Sequence, residues 1–176
     1  MIYDLEDTIR CPIIQVVEIF RDKLSALSPY LPNIEKIETL ERSEEGNTIN
    51  LINKWYGKVI LPPVLHKIIK VDKLDWTDYA TWHVPENRVV YRLEFDGFEQ
   101  IAFVNGETSF AADGLNTRVR YSGHVVLNLS QKIGIPELLS QSLGTQISKM
   151  ILTLVKPNML KANRGVEKLL KCKIEI

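Results

Sequence analysis

The chain has 176 residues, of which 45% are hydrophobic, and this length and composition fit one globular domain over residues 1–176. Lys plus Arg number 22 and Asp plus Glu number 22, so the formal net charge is zero. Because binding to a phosphate backbone needs a surplus of basic residues, this balance argues against nucleic acid as the main partner.

The start of the chain and its cysteines predict a soluble cytoplasmic protein. The first ten residues carry acidic side chains where a secretory signal would have a basic region and an apolar run. No apolar run approaches the ~20 residues that span a bilayer. Neither the number nor the spacing of Cys11 and Cys172 indicates a disulfide framework or a metal site, so we expect two free thiols.

The N-terminal part predicts a strand followed by short helices. Ile2–Ile9 alternates between apolar and polar residues, as a strand does. Pro12 can open a helix, and the apolar residues after it keep helical spacing. Pro29 and Pro32 end this segment.

Period-two alternation predicts six further strands, over residues 34–40, 48–56, 74–84, 88–95, 100–111 and 117–129. In the second of these, Asn53 shares a face with apolar residues. In the fifth, the alternation puts Phe103, Asn105 and Glu107 on the inner face, but a bulge at Gly106 would turn Glu107 outward, so the facing of Glu107 stays open. Successive antiparallel strands with one polar face predict a sheet that is covered on one side only.

An apolar insert separates the second and third of these strands, at residues 57–71. Pro62 and Pro63 break a strand and can start a helix, and the apolar residues after them keep helical spacing. We expect a short amphipathic helix that packs on the sheet edge, covers the entrance of a cavity, or makes transient contact with a membrane surface.

A wide apolar stripe predicts a long C-terminal helix over residues 136–156, continuing to residue 170. Burying its eight large apolar side chains is worth roughly 12–24 kcal/mol gross, so the helix must lie on a large apolar surface, which the sheet can supply. Pro157 predicts a sharp kink or a division into two helices.

Three stretches, taken in order, resemble one family. They are the Pro12 helix opening, LSPYLPNIEKIETLER at residues 27–42, and the hairpin ADGLNTRVRYSGHVVL at residues 112–127. Together with the order of strand, short helices, six strands and long helix, they resemble the START and birch-pollen-allergen superfamily, also called SRPBCC. The block LDWTDYATW after the two-proline insert resembles a subgroup of unassigned function.

This resemblance implies an α+β helix-grip fold, in which a curved antiparallel sheet of about seven strands wraps around the C-terminal helix. A cavity lies between them, and relatives bind lipids, sterols, polyketides or quinones there. Some relatives act as cyclases or dehydratases, and the fold alone does not choose among these activities.

The expected cavity lining follows from that fold. The sheet would contribute Trp55, Trp76, Tyr91, Phe95, Phe103, Tyr121 and Val125, and the helix Leu143, Ile147 and Met150. The entrance would be formed by Ile60, Leu61, Leu65 and Ile69. The three histidines form no ligand set, so we expect neither a metal nor a cofactor.

Three functions are compatible with these features. The first is a non-catalytic carrier or sensor of a hydrophobic small molecule. The second is a polyketide cyclase or dehydratase that uses tyrosine and glutamate, with Glu107 as the candidate acid. It requires a pair of inward polar groups beside a cavity of about 300 Å³ or more. The third is a protein-interaction module whose pocket is filled and whose insert exposes an apolar patch. The oligomeric state stays open.

Overall fold

The computed structural model describes residues 1–58, 73–98, 102–128 and 137–172, with the side chains of 137–143 and 154 left out. Strand β1 (Ile2–Ile9) is followed by helix α1 (Ile13–Asp22) and a 3₁₀ helix (Leu24–Tyr30). Six strands and one long helix come next: β2 (Ile34–Glu45), β3 (Thr48–Gly57), β4 (Trp76–His83), β5 (Arg88–Phe95), β6 (Ala102–Asp113), β7 (Asn116–Leu127) and α2 (Glu137–Leu170). The predicted helix of the insert lies outside the described residues.

The seven described strands form one antiparallel sheet in the order β1-β7-β6-β5-β4-β3-β2. Each strand from β2 to β7 pairs with its neighbour in sequence, as consecutive strands usually do, and the pairing of β3 with β4 holds even though the insert separates them. β1 lies at one edge of the sheet and pairs with β7. The α+β helix-grip arrangement predicted from the sequence is therefore confirmed.

The core lies between one face of the sheet and the helices. Alternate residues of the strands are buried, as in β4, where Trp76, Ala80 and Trp82 point to the core. The helices cover this face with buried aliphatic side chains, among them Val16, Leu27, Ile147, Ile151 and Val166. Because only one face of the sheet packs on helices, buried and more exposed residues alternate along its strands.

Helix α2 runs through Pro157 without a break, so the alternative of two separate helices is wrong. Proline removes one backbone donor and crowds the preceding turn, which costs roughly 3 kcal/mol in a helix interior. Buried residues on both sides of Pro157, Ile151 before it and Ala162 and Val166 after it, hold the helix against the sheet. This packing offsets the local cost of the proline.

Two glycines in the middle of the sheet make room for a pair of tyrosines. Gly106 of β6 lies opposite Gly123 of β7. On its other side Gly106 pairs with Tyr91 of β5, and Gly123 pairs with Tyr3 of β1. The two tyrosine hydroxyls meet at 2.7 Å above the glycines. The register runs through Gly106 without a shift, so the predicted bulge is wrong.

Replacing Gly123 with Ala should destabilise the protein by about 1–3 kcal/mol, as overpacking of a core does. A Cβ at this position would lie 2.4 Å from the Tyr3 hydroxyl oxygen and 2.6 Å from the Asn105 carbonyl oxygen. The backbone oxygen cannot move away cheaply. Urea unfolding checks this result, with Ser122→Ala next to it as the control. An unchanged midpoint for Gly123→Ala would show that the strands can separate without cost.

Cys11 and Cys172 form a disulfide, with 5.7 Å between their Cα atoms, so the prediction of two free thiols is wrong. Cys11 follows β1 and is fully buried, while Cys172 comes just after α2. The two residues are 161 positions apart, and only the packing of α2 against β1 brings them together. Within the described ranges, no helix combines the length and apolarity that crossing a bilayer requires.

Candidate functional site

A cavity of about 150 Å³ lies between the inner face of the sheet and helix α2. It is smaller than the roughly 300–1,000 Å³ of a drug-sized pocket and similar to the ~150 Å³ apolar cavity that accepts a benzene molecule. Its described lining is Phe20, Leu24, Asn53, Trp55, Trp76, Asp78, Ala80, Trp82, Val89, Tyr91, Leu93, Phe95, Thr108, Phe110, Tyr121, Val155, Asn158, Met159 and Ala162.

Aromatic rings form most of the wall. Strand pairing sets Trp55 of β3 directly opposite Trp76 of β4, and the two rings stack with centroids 5.4 Å apart. Trp82 stacks on Phe110 at 5.8 Å. Offset stacks of this kind add about 0.5–1.5 kcal/mol beyond burial, so the rings hold one another in place. The wall is therefore largely apolar, and its rings are held in place by packing against one another.

Asp78 places a carboxyl group inside this apolar wall. It lies on β4 two residues from Trp76 and two from Ala80, which puts it on the inner face. Asn53 donates from Nδ2 to Asp78 Oδ2 at 3.3 Å, and Thr39 donates to Asn53 Oδ1 at 2.8 Å. Burial raises the pKa of Asp78 to about 6, and the nearby Asn53 amide and Trp55 indole N–H limit that rise.

Three buried polar atoms on the cavity wall have no hydrogen-bond partner among the described residues. They are Trp55 Nε1, Asp78 Oδ1 and Asn158 Oδ1. An unpaired buried polar group costs about 1–3 kcal/mol, so most are paired in folded proteins. The Trp55 indole N–H lies near the Asp78 carboxyl without forming a regular hydrogen bond to it, so the cavity wall holds polar groups that a further partner could bind.

The tyrosine hydroxyls at the cavity are engaged by protein partners. Tyr91 bonds Tyr3, and burial raises the pKa of Tyr91 well above its ordinary value and that of Tyr3 to about 12. Tyr121 donates to Asn163 Oδ1 at 2.5 Å, and Asn163 donates to Asp7 at 2.9 Å. Burial also raises the pKa of Tyr121. These phenols are neutral at physiological pH.

Five of the residues predicted from the sequence lie on the cavity wall: Trp55, Trp76, Tyr91, Phe95 and Tyr121. Val125, Ile147 and Met150 belong to the surrounding core and are not part of the described lining. The side chain of Leu143 lies outside the described part of the structure. So do the predicted entrance residues Ile60, Leu61, Leu65 and Ile69. Whether any of these residues touches a ligand stays a prediction.

The inner facing predicted for Phe103 of β6 is wrong, and Glu107, for which both faces were left open, lies on the outer face. Phe103 lies on the outer face, where the guanidinium carbon of Arg92 sits 3.9 Å from its ring centroid. Glu107 is also on that face and pairs with Arg88 at 3.1 Å. The buried residues are the alternate set, which includes Val104 and Thr108. A one-residue error in alternation exchanges the two faces, and β6 carries apolar residues on both.

The sequence reasoning missed Asp78, Asn158 and Ala162. Asp78 shares the period-two face of Trp76 and Trp82, and an acid on that face was the available signal. Asn158 and Ala162 follow Pro157, where a break in the helix was expected, so no cavity role was assigned to them. Among the described residues, no three of His, Cys, Asp or Glu form a cluster that could hold a metal ion.

Solved structures share this fold. A protein from Thermus thermophilus is 21% identical, with 98% of this chain and 100% of that chain covered and a TM-score of 0.66. The ZhuI aromatase/cyclase from Streptomyces is 16% identical, with 97% and 93% covered and a TM-score of 0.67. A START superfamily protein from Mycobacterium smegmatis is 14% identical, with 96% and 98% covered and a TM-score of 0.53.

No family model and no curated protein matches the sequence. The structural likeness nevertheless extends over nearly the whole chain, and it confirms the predicted fold. The protein has a helix-grip fold, which a START superfamily protein and an aromatase/cyclase share. At these identities the likeness defines the fold, and the site itself must indicate the function.

Proposed function

We propose that the protein binds a small hydrophobic molecule in the cavity between the sheet and α2, as a carrier or sensor. One observation carries the proposal: an aromatic cavity of about 150 Å³ has buried polar atoms on three of its lining residues that form no regular hydrogen bond within the described part of the chain. Concave apolar spaces with a few convergent polar groups are the usual form of ligand sites. Neighbours of this fold include a START superfamily protein and an aromatase/cyclase.

The volume favours a ligand, or the buried part of one, about the size of one or two rings. A complete sterol or a long acyl chain is larger than a space of about 150 Å³. The tryptophan pair Trp55 and Trp76 offers broad ring surfaces to such a molecule. Of the ligand classes that the resemblance implies, a quinone or a ring of a polyketide fits this volume better than a complete sterol or lipid.

Native mass spectrometry of the purified protein tests this function, together with thermal shifts from a panel of lipids, quinones and aromatic compounds. A co-purified small-molecule mass, or a raised melting temperature with one class, is the expected result. Ala162→Leu should remove that shift, because Ala162 lines the cavity and a larger side chain fills it. Lys161→Leu is the control, since Lys161 is the exposed neighbour on α2. No mass and no shift would contradict the proposal.

An acid–base enzyme is the second candidate, and the position of Asp78 favours it. A carboxyl group with a pKa of about 6 inside a cavity can transfer a proton near neutral pH. In such an enzyme, Asp78 would be the catalytic acid in place of Glu107. Binding is better supported, because the cavity is smaller than about 300 Å³ and the tyrosine hydroxyls already have partners.

The compartment and the other partners stay predictions. Cytoplasmic location was inferred with two free thiols, whereas the Cys11–Cys172 disulfide is a bond that persists in oxidising compartments. Redox labelling of cysteines in cells would decide between them. Transient membrane contact through the insert and the absence of a nucleic-acid partner are proposed from the sequence alone.

A further inference from the structure

Among the described residues that line the cavity, the Asp78 carboxyl has no basic side chain to balance its charge. Asp78 is the one carboxylic acid among the described lining residues, and none of them is Lys, Arg or His. Its side chain is buried, with a residue exposure of 8%; the Asn53 amide donates to it, and the Trp55 indole N–H lies nearby. A buried carboxylate without a cationic partner is costly, and proteins normally pair such charges.

Two of the three buried polar atoms without a regular hydrogen bond among the described residues are acceptors, which need a hydrogen-bond donor. Asp78 Oδ1 and Asn158 Oδ1 are both acceptors, on two residues that are each 8% exposed. A protonated amine carries several N–H donors and no acceptor, which matches a site whose open groups include two acceptor oxygens. An alcohol brings one O–H donor and no charge, which leaves one oxygen unpaired and the carboxylate unbalanced.

The aromatic wall adds attraction for a cation. Of the described lining residues, eight are aromatic. The face of an aromatic ring is negative, and a cation within about 6 Å of it gains about 0.5–2 kcal/mol, with the larger value where water is excluded. The stacked pair Trp55 and Trp76 comes from the strands that also hold Asn53 and Asp78. Ring surface and carboxylate therefore belong to one part of the cavity.

We propose that the ligand is a small amine with an apolar, ring-sized body. Its ammonium group pairs with the Asp78 carboxylate and donates to Asn158, and its body lies against the tryptophans. This inference rests on the proposed binding function and specifies the ligand class of the same cavity.

The pairing depends on pH in a defined direction. Asp78 is ionised above about pH 6, so amine binding is strongest there and weakens as the pH falls below that value. Asn53 and Trp55 face Asp78 from β3 and Tyr91 faces it from β5, while Asn158 of α2 lines the same cavity. Tyr91 stays neutral in this range because burial raises its pKa. No other described titratable group facing Asp78 changes its charge.

Isothermal titration calorimetry with matched probes tests the inference. The pairs are phenethylamine with phenethyl alcohol, and tryptamine with tryptophol, which differ chiefly in the charged group. At about pH 7.5 we expect each amine to bind at least about tenfold more tightly than its alcohol, a margin that one well-placed ion pair supplies. At about pH 5 the amines should lose that margin while the alcohols stay unchanged. Asp78→Asn, which is nearly isosteric, should remove the margin as well. Glu45→Gln, an exposed carboxyl on β2, is the control.

Equal affinities of amine and alcohol for the wild type at about pH 7.5 would overturn the amine inference and leave the binding function standing. So would an unchanged preference in Asp78→Asn. If that variant does not fold, the pH series on the wild type decides the question alone. Binding by none of the four probes overturns the amine inference. It overturns the binding function too only when native mass spectrometry and the thermal-shift panel also find nothing.

Discussion

Removing the Cys11–Cys172 disulfide is expected to lower the free energy of unfolding by about 2–5 kcal/mol. The bond joins residues 161 positions apart, and closing a loop of that length restricts the unfolded chain by about 5 kcal/mol in the chain-entropy model. It also ties the end of α2 to the β1–α1 junction. There, Thr117 donates to the Cys11 carbonyl at 2.7 Å and the Arg10 N–H donates to Glu167 at 2.9 Å.

Thermal unfolding with and without a reducing agent measures this effect. For a chain of this length, about 2–5 kcal/mol corresponds to a fall in melting temperature of about 4–20 °C. Cys11→Ala with Cys172→Ala should unfold at the lower temperature in both conditions, which controls for other actions of the reductant. Alanine is chosen because Cys11 is fully buried and a serine hydroxyl would need a partner there. Equal melting temperatures for reduced and oxidised wild type would contradict the prediction.

Asp78 is expected to make the protein less stable as the pH rises from about 4 to about 6. Its pKa is raised from an ordinary value of 3.8 to about 6, so the folded state holds a proton that the unfolded state has released. Stability from this group is complete below about pH 4 and is lost as the pH passes about 6. A shift of about two units corresponds to about 3 kcal/mol.

Asp78→Asn should remove this pH dependence, because asparagine keeps the shape and does not titrate. Chemical unfolding of both proteins at several pH values between about 4 and 8 gives the comparison. The difference in unfolding free energy between variant and wild type should change by about 3 kcal/mol in favour of the variant over that range. Glu45→Gln shows how much an exposed acid contributes. Parallel curves for Asp78→Asn and wild type would mean that Asp78 titrates at its ordinary pKa.

The two predictions concern different parts of the structure. The disulfide acts where α2 ends, whereas Asp78 acts at the cavity wall on β4. A ligand that pairs with Asp78 should reduce the pH dependence of stability and leave the effect of reduction unchanged. Measuring both with and without phenethylamine therefore links the stability of the protein to its binding site.

Local patterns were sufficient for most of the architecture. The bounds of β1 and β5 match the alternation in their sequences, since one face of each is buried and the other is not. The apolar stripe of α2 and the hairpin at Asp113 are equally local, because helix and turn periodicity depend on neighbouring residues. These features, in their order, support the family resemblance that implies the helix-grip fold, and five of the residues expected on the cavity wall lie there.

Three features were decided only by the tertiary structure. Cys11 and Cys172 meet because α2 packs against β1, and a separation of 161 residues leaves no trace in local sequence. The face of β6 depends on its register with β5 and β7, because both of its faces carry apolar residues. Asp78 becomes a candidate ligand group only when the sheet and α2 enclose it and remove water. Alternation along a strand assigns residues to faces, whereas their long-range contacts and exclusion from solvent arise only when distant segments pack together.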